Sequence, residues 1–164
     1  QGEGHFIACI QKNGQSVSKK YKPMKPHISK QNQKLVDEFY QKYLNIPTPD
    51  YLYDNHNHIY ALMPQFPDLQ GIRVLRNGLY LGECKKNRFE PSLALALTLT
   101  QKDVKQFYRF HENDDEIKQY LHGEAIQGSN HKGYGVIFVE DYPLSFYKES
   151  QGLAKNLYPK GLRR

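Results

Sequence analysis

The sequence predicts an α+β protein: a small α/β module followed by a small β-barrel with packed helices. Three observations carry that expectation. Leu35, Phe39 and either Tyr43 or Leu44 recur at helical spacing just after a capping residue, Ser29. Short alternating apolar stretches between Tyr51 and Glu83 are separated by turn residues, as hairpins require. Further on, Tyr134-Gly-Val-Ile-Phe-Val139 is a nearly unbroken apolar run with strand patterns around it, which suits the interior of a sheet.

Taken in order, Gly4-His-Phe-Ile-Ala-Cys-Ile10 reads as a strand apolar on both faces with no sheet behind it, so residues 1–11 look like the last strand of a missing preceding domain. No acid occurs between Gly4 and Val36, and residues 12–34 carry seven Lys among Ser, Gln, Asn and Pro, a linker composition assigned to 12–29. The stretch either trails along a polyanion or simply tethers two domains. The first module, 30–99, opens with a helix from about Gln31 to Leu44, ended by Asn45-Ile-Pro-Thr-Pro. Tyr51–Tyr53 and His58–Met63 form one hairpin around 54–57. Ile72–Arg76 and Leu79–Glu83 form another around Asn77-Gly78. Pro91 starts a helix through Leu99.

The second module, 100–164, begins with a short helix over Asp103–Tyr108. Asn113, Asp114 or Asp115 then caps a helix that reaches Leu121 and ends at Gly123. Glu124–Ile126, Tyr134–Val139 and Leu144–Lys148 are strands, with a turn at Asp141-Tyr-Pro143. The basic tail 152–164 supplies the closing strand and edge.

Composition narrows the function. The chain has 164 residues and a net charge of +6, with a pI near 9.2 and a mean hydropathy of −0.78, which favours a polyanionic partner over a membrane. No apolar run approaches the ~18 residues of a membrane span. Cys9 and Cys84 lie far apart, outside any metal or redox spacing, as in a reduced cytosolic protein. His56, His58 and Cys84 lack the paired spacing of a zinc site, so no metal is expected. Asp114, Asp115 and Glu116 read as a helix N-terminus rather than catalytic carboxylates.

Several segments carry a resemblance. Tyr120-Leu-His-Gly-Glu124, Gly133–Val139, Pro143-Leu144 with Lys148, and Lys155-Asn-Leu-Tyr-Pro-Lys-Gly-Leu-Arg163 resemble the PUA-like domain at the C-terminus of RsmF-type (Sun-family) RNA cytosine-5 methyltransferases. Arg76-Asn-Gly-Leu-Tyr-Leu-Gly-Glu83 with Arg88-Phe-Glu-Pro-Ser92 is similar to the module preceding it. Gly2-Glu-Gly-His-Phe-Ile-Ala8 looks like the last strand of the catalytic domain. The resemblance implies a parent enzyme that uses S-adenosylmethionine to methylate cytosine C5 in small-subunit ribosomal RNA, on a ribosomal particle. It implies a cytoplasmic monomer with no membrane attachment.

In that family the nucleophilic and releasing cysteines follow Pro or Thr. Here Cys9 follows Ala8 and Cys84 follows Glu83, and no Gly-rich cofactor loop is present. This chain alone is therefore expected to hold neither cofactor nor catalytic residues. Its role is to bind and position rRNA for the catalytic domain. A free-standing PUA-like RNA-binding adaptor without enzymatic activity is the alternative, and a self-contained enzyme lacks any nucleophile–base pair. One departure from the family stands beside the tail: Ser145-Phe-Tyr147 replaces a Gly-aromatic-Gly pattern before the lysine.

The expected RNA contacts are Lys148, Lys155, Tyr158, Lys160 and Arg163, with Arg73, Arg76, Lys85, Lys86 and Arg88 from the first module. Lysine and arginine neutralise phosphates and Tyr158 contacts a base or ribose. Competing readings stay open. Tyr158 and Pro159 also suit sealing the barrel, the first-module cations also suit ordinary sheet-surface charge, and Arg76 also suits bracing Glu83 across its hairpin. Asn156 reads as satisfying backbone groups.

Overall fold

The Ser29 hydroxyl accepts the Asn32 amide at 3.1 Å and so fixes the start of helix α1, Lys30–Tyr43. The structure is a computed structural model, and it describes residues 13, 23–67, 71 and 78–163. The predicted strand in 1–11, most of the basic stretch, the Ile72–Arg76 arm and Arg164 lie outside the described residues.

The buried stripe of α1 is Val36, Phe39 and Tyr40, continued by its C-cap Leu44, with Leu35 and Tyr43 partly buried at its edge. The helix lies on the inner side of a four-stranded antiparallel sheet in the order β1 (Leu52–Asn55), β2 (His58–Ala61), β3 (Leu79–Lys85) and β4 (Arg88–Pro91). The β1–β2 turn places His56 and Asn57 at positive φ, the conformation that suits the twist of a two-residue hairpin. Asn32 is buried at the start of α1 and reaches this turn, donating to Asp54 at 2.7 Å and Asn57 at 3.1 Å. Residues 23–28 were expected as linker. They instead pair at two places, Pro23 and Met24 with Phe66 and Pro67, and His27 with β1, its amide donating to the Leu52 carbonyl and its carbonyl accepting the Asp54 amide.

The strand after Asn77-Gly78 is present as β3, with β2 and β4 as its described partners and a tight turn at Lys86-Asn87, while its expected pairing with the Ile72–Arg76 arm falls outside the described residues. One expectation in this module needs correction. Pro91 closes β4 rather than opening a helix. Ser92 caps the helix, with its hydroxyl accepting the Leu95 amide, and α2 is only Leu93–Ala96.

The second module is a curled half-barrel of five strands in the order β5-β7-β8-β9-β6. These are β5 (Phe107–Phe110), β6 (Ile126–Gln127), β7 (Gly133–Val139), β8 (Tyr142–Ser150) and β9 (Leu153–Asn156). The expected helix over 103–108 is absent. A 3-10 turn occupies Gln101–Asp103, and Phe107-Tyr-Arg-Phe110 alternates in burial as the only parallel partner of β7 among the described strands. Helix α3, Asp115–His122, has Asp114 at its N-cap, with Asp115 and Glu116 in the first turn, and Gly123 at φ 102° as its left-handed stop. The tail strand β9 is flanked by β8 and β6, so it is interior to the sheet rather than an edge.

The modules share one hydrophobic core. Phe39 makes edge-on or tilted ring contacts with Phe89 of the first sheet and with Tyr134 and Phe146 of the second, at centroid distances of 5.1, 5.4 and 5.9 Å. Leu44 bridges to Val104, and the Asn45 side chain donates to the carbonyls of Lys102 and Val104 at 3.0 and 3.1 Å. A smaller core of Ile117, Tyr120, Ile126, Ile137, Tyr147 and Ala154 lies under α3.

Candidate nucleic-acid interface

Where α1, the β3–β4 turn and the β7–β8 ribbon meet, a cleft of about 220 Å³ opens beside the shared core. Its cations come from three elements: Lys42 from α1, Arg88 from β4 and Lys148 from β8. Phe39, Tyr43, Phe89 and Tyr134 line its apolar side. Lys148 Nζ stands 5.2 Å from the Tyr134 ring centroid, a cation–π contact that sets the height of the ammonium group.

Strand register extends this charge. Tyr134 pairs with Lys148, and Lys148 pairs with Lys155 on β9, so the three side chains form one cross-strand row. Both lysines are exposed, and among the described residues neither is ion-paired. Like charges directly opposite each other on a sheet are destabilising, and an anion between them relieves that cost. A pair of exposed ammonium groups on one sheet face suits phosphate oxygens.

The other expected contacts divide. Lys86 sits exposed in the β3–β4 turn beside the cleft. Arg88 lines the cleft but is already bonded to Glu90, with Nε at 2.7 Å and Nη2 at 2.6 Å from Oε1. Lys85 pairs with Glu83 on its own strand and holds that carboxyl below the usual range. Glu83 thus has a brace other than Arg76. Arg73 and Arg76 lie outside the described residues.

Tyr158 and Arg163 are elsewhere, at the α3 corner. Tyr158 packs on the smaller core, and its carbonyl accepts from Arg163 Nε at 3.2 Å and Nη2 at 3.1 Å. The Arg163 side chain lies so close over Gly123 that a Cβ there would meet its Cδ at 2.7 Å. Lys160 is exposed on the 3-10 turn Lys160–Leu162 beside them. Asn156 Nδ2 donates to the carbonyls of Tyr120 and Glu124, and its Oδ1 accepts the Tyr158 amide, the backbone-satisfying role its type suggested. The Ser145-Phe-Tyr147 departure is absorbed by the core. Ser145 Oγ lies 2.9 Å from the Tyr120 hydroxyl, and Gly135 leaves the space that the Tyr147 ring fills.

Cys84 is not placed for thiol chemistry. Cys84 is 4% exposed in the shared core, and burial pushes its thiol up to about 11, which keeps it a thiol at neutral pH. His58 does not join it, because its Nδ1 meets the Tyr80 hydroxyl at 2.9 Å. Sequence reasoning missed Lys42 and Tyr134 as parts of the cleft. Lys42 follows Phe39 by three residues, a spacing that places both on adjoining sides of the same helix turn.

Two family models match the chain. Residues 38–99 match the first C-terminal domain of the RsmF rRNA methyltransferases, and residues 107–164 match the RsmF methyltransferase PUA domain. The matched segments meet at the cleft, with Lys42 and Arg88 in the first and Lys148 in the second. With both domains matched in order, and with a PUA-like half-barrel bearing outward cations, the chain belongs to the RsmF-type rRNA methyltransferases, of which it carries a C-terminal, RNA-binding region.

Proposed function

We propose that this region holds ribosomal RNA by its phosphates, so that a catalytic domain of the same enzyme reaches one cytosine of the small-subunit RNA. The observation that carries the reading is the row Tyr134–Lys148–Lys155, which ends at a cleft shared by both modules. Phosphate contacts fix register and orientation without reading sequence, which is what a positioning domain needs. Methyl transfer from S-adenosylmethionine to cytosine C5 belongs to the catalytic domain, and base extrusion accompanies it there. The enzyme acts as a cytoplasmic monomer on the ribosomal particle.

Lys42, Lys86, Lys148 and Lys155 offer four cations that pair with no acid among the described residues. If each neutralises one phosphate of single-stranded RNA, log affinity against log salt falls with a slope of about −3. Titration of a small-subunit rRNA fragment at several salt concentrations measures it. Affinity indifferent to salt would refute the reading.

A further inference from the structure

The first sheet has a second face. Its inner side is covered by α1, while the outer side carries a row of tyrosines: Tyr53 pairs with Tyr60, and Tyr60 pairs with Tyr80. Directly paired residues share a face. The Tyr60 and Tyr80 rings lie 5.1 Å apart with their planes at 41°. His58 stands beside them, its ring 5.7 Å from that of Tyr80 and its Nδ1 bonded to the Tyr80 hydroxyl at 2.9 Å. Leu93, Ala94 and Leu97 of the α2 region wall the other side of a groove of about 600 Å³. Leu97 is 53% exposed.

A solvated sheet face is ordinarily polar, so an aromatic row there needs a reason. The rings are half-buried and held by each other, so little conformational freedom is left to lose on binding. Their charge environment is nearly neutral, because Lys85 is matched by Glu83 and Arg88 by Glu90. Such a face attracts π-systems rather than phosphates. It is nevertheless joined to the basic region: along β3 from Tyr80 to Lys85 is about 17 Å of strand, and the turn beyond it carries the exposed Lys86 and places Asn87 in the lining of the cleft that holds Lys148. A strand whose phosphates lie on the lysines can continue with its bases over the tyrosines. An unpaired RNA segment combines those two requirements, whereas a stable protein partner needs ~800 Å² on each side with an apolar centre.

We infer that Tyr60 and Tyr80, steadied by His58, form a stacking platform for unpaired bases of the RNA whose phosphates the Lys148–Lys155 face holds, an inference that rests on the RNA-binding reading above. Stacking tolerates any base and contributes without neutralising charge, so it leaves a signature different from the lysines.

The test compares an unstructured single-stranded RNA with a perfect duplex on the full chain. Tyr60→Ala with Tyr80→Ala should weaken single-strand binding at least ~tenfold, leave the salt slope unchanged and leave duplex binding nearly intact. Tyr60→Phe with Tyr80→Phe keeps the rings and should bind within about twofold of the parent. Should the alanine variant fail to fold by circular dichroism, photo-crosslinking of 4-thiouridine RNA to the unaltered chain replaces it, and the adducts should map to Tyr60 or Tyr80. A folded alanine variant that binds single strands like the parent, or crosslinks confined to other residues, overturns the platform. If that happens while Lys148→Ala with Lys155→Ala does weaken binding, the platform fails and the RNA reading stands. If the unaltered chain binds neither RNA, the RNA reading fails with it. If the tyrosine changes alter only self-association, the face belongs to a protein contact and the platform is refuted.

Discussion

Lys155 and Arg163 lie eight positions apart in one basic stretch, and the fold gives them opposite tasks. Lys155 stands on an exposed strand face opposite Lys148 and points its charge at solvent. Arg163 turns back over Gly123 and gives two hydrogen bonds to the Tyr158 carbonyl. The first is available to a ligand, while the second is already used to close the α3 corner. Local composition treats them alike, because both are cations near glycine and tyrosine. What separates them is strand register on one side and a helix stop on the other.

The largest way to break this comparison is through the ring that floors the cleft. Phe39→Ala should cost about 3–5 kcal/mol, because Phe39 packs on both sheets. Both modules should then unfold together at a lower temperature by calorimetry, and RNA affinity should fall as well. Two separate transitions, only one of them shifted, would show that the modules do not depend on a common core.

Next in size, Lys148→Ala with Lys155→Ala should lower RNA affinity by about 2 kcal/mol, roughly thirtyfold. The salt slope on single strands should become shallower by about 1.4, and the melting temperature should stay within a degree or two. A lost slope with unchanged stability is what distinguishes an outward contact from a brace. Arg163→Ala should do the reverse, costing about 1–2 kcal/mol of stability with little change in RNA affinity. Gly123→Ala should resemble it, since the added Cβ collides with the Arg163 side chain and the position needs a positive φ. Strong loss of RNA binding in Arg163→Ala at unchanged stability would move Arg163 into the interface.

The smallest effect concerns the joint between the modules. The Thr100 hydroxyl and amide both donate to Asp103, at 2.7 and 2.8 Å, and hold its carboxyl below the usual range. A depressed folded value contributes stability that is complete above the unfolded value, about 3.9, and is lost as pH falls through the folded one. Asp103→Asn should therefore lower the melting temperature slightly at pH 7, and its curve should merge with the parent curve in acid. Curves that stay parallel down to acid would remove this carboxyl from the joint.

Local signals announced many elements and misjudged their partners. Ser29, the spacing of α1, and Gly123 were readable because caps and amphipathic stripes are satisfied within a few residues. No turn signal named β2 and β4 together as the partners of β3, because register is settled by which strands bury the same face as Leu81 and Cys84. Asp103–Tyr108 carried a helical pattern too short to compete with the open edge of β7, and part of it became β5. Of the interface, Lys148, Lys155 and Lys86 were legible as exposed cations. Lys42 was not, because the cleft exists only where Asn87, Arg88, Tyr134 and Lys148, all more than forty residues further on, meet its helix.

The sequence by itself determined the helix limits set by Ser29 and Gly123, the buried strand β7, the basic balance and the family likeness of both modules. These depend on groups close together in the chain. Tertiary structure alone decided that Phe39 joins the modules, that Lys148 faces Lys155, that Arg163 is consumed by a carbonyl, and that three tyrosines align on one sheet face. Each of those facts is a pairing between distant residues. Pairings are selected by the apolar area that the whole chain buries at once, and no short stretch carries that sum.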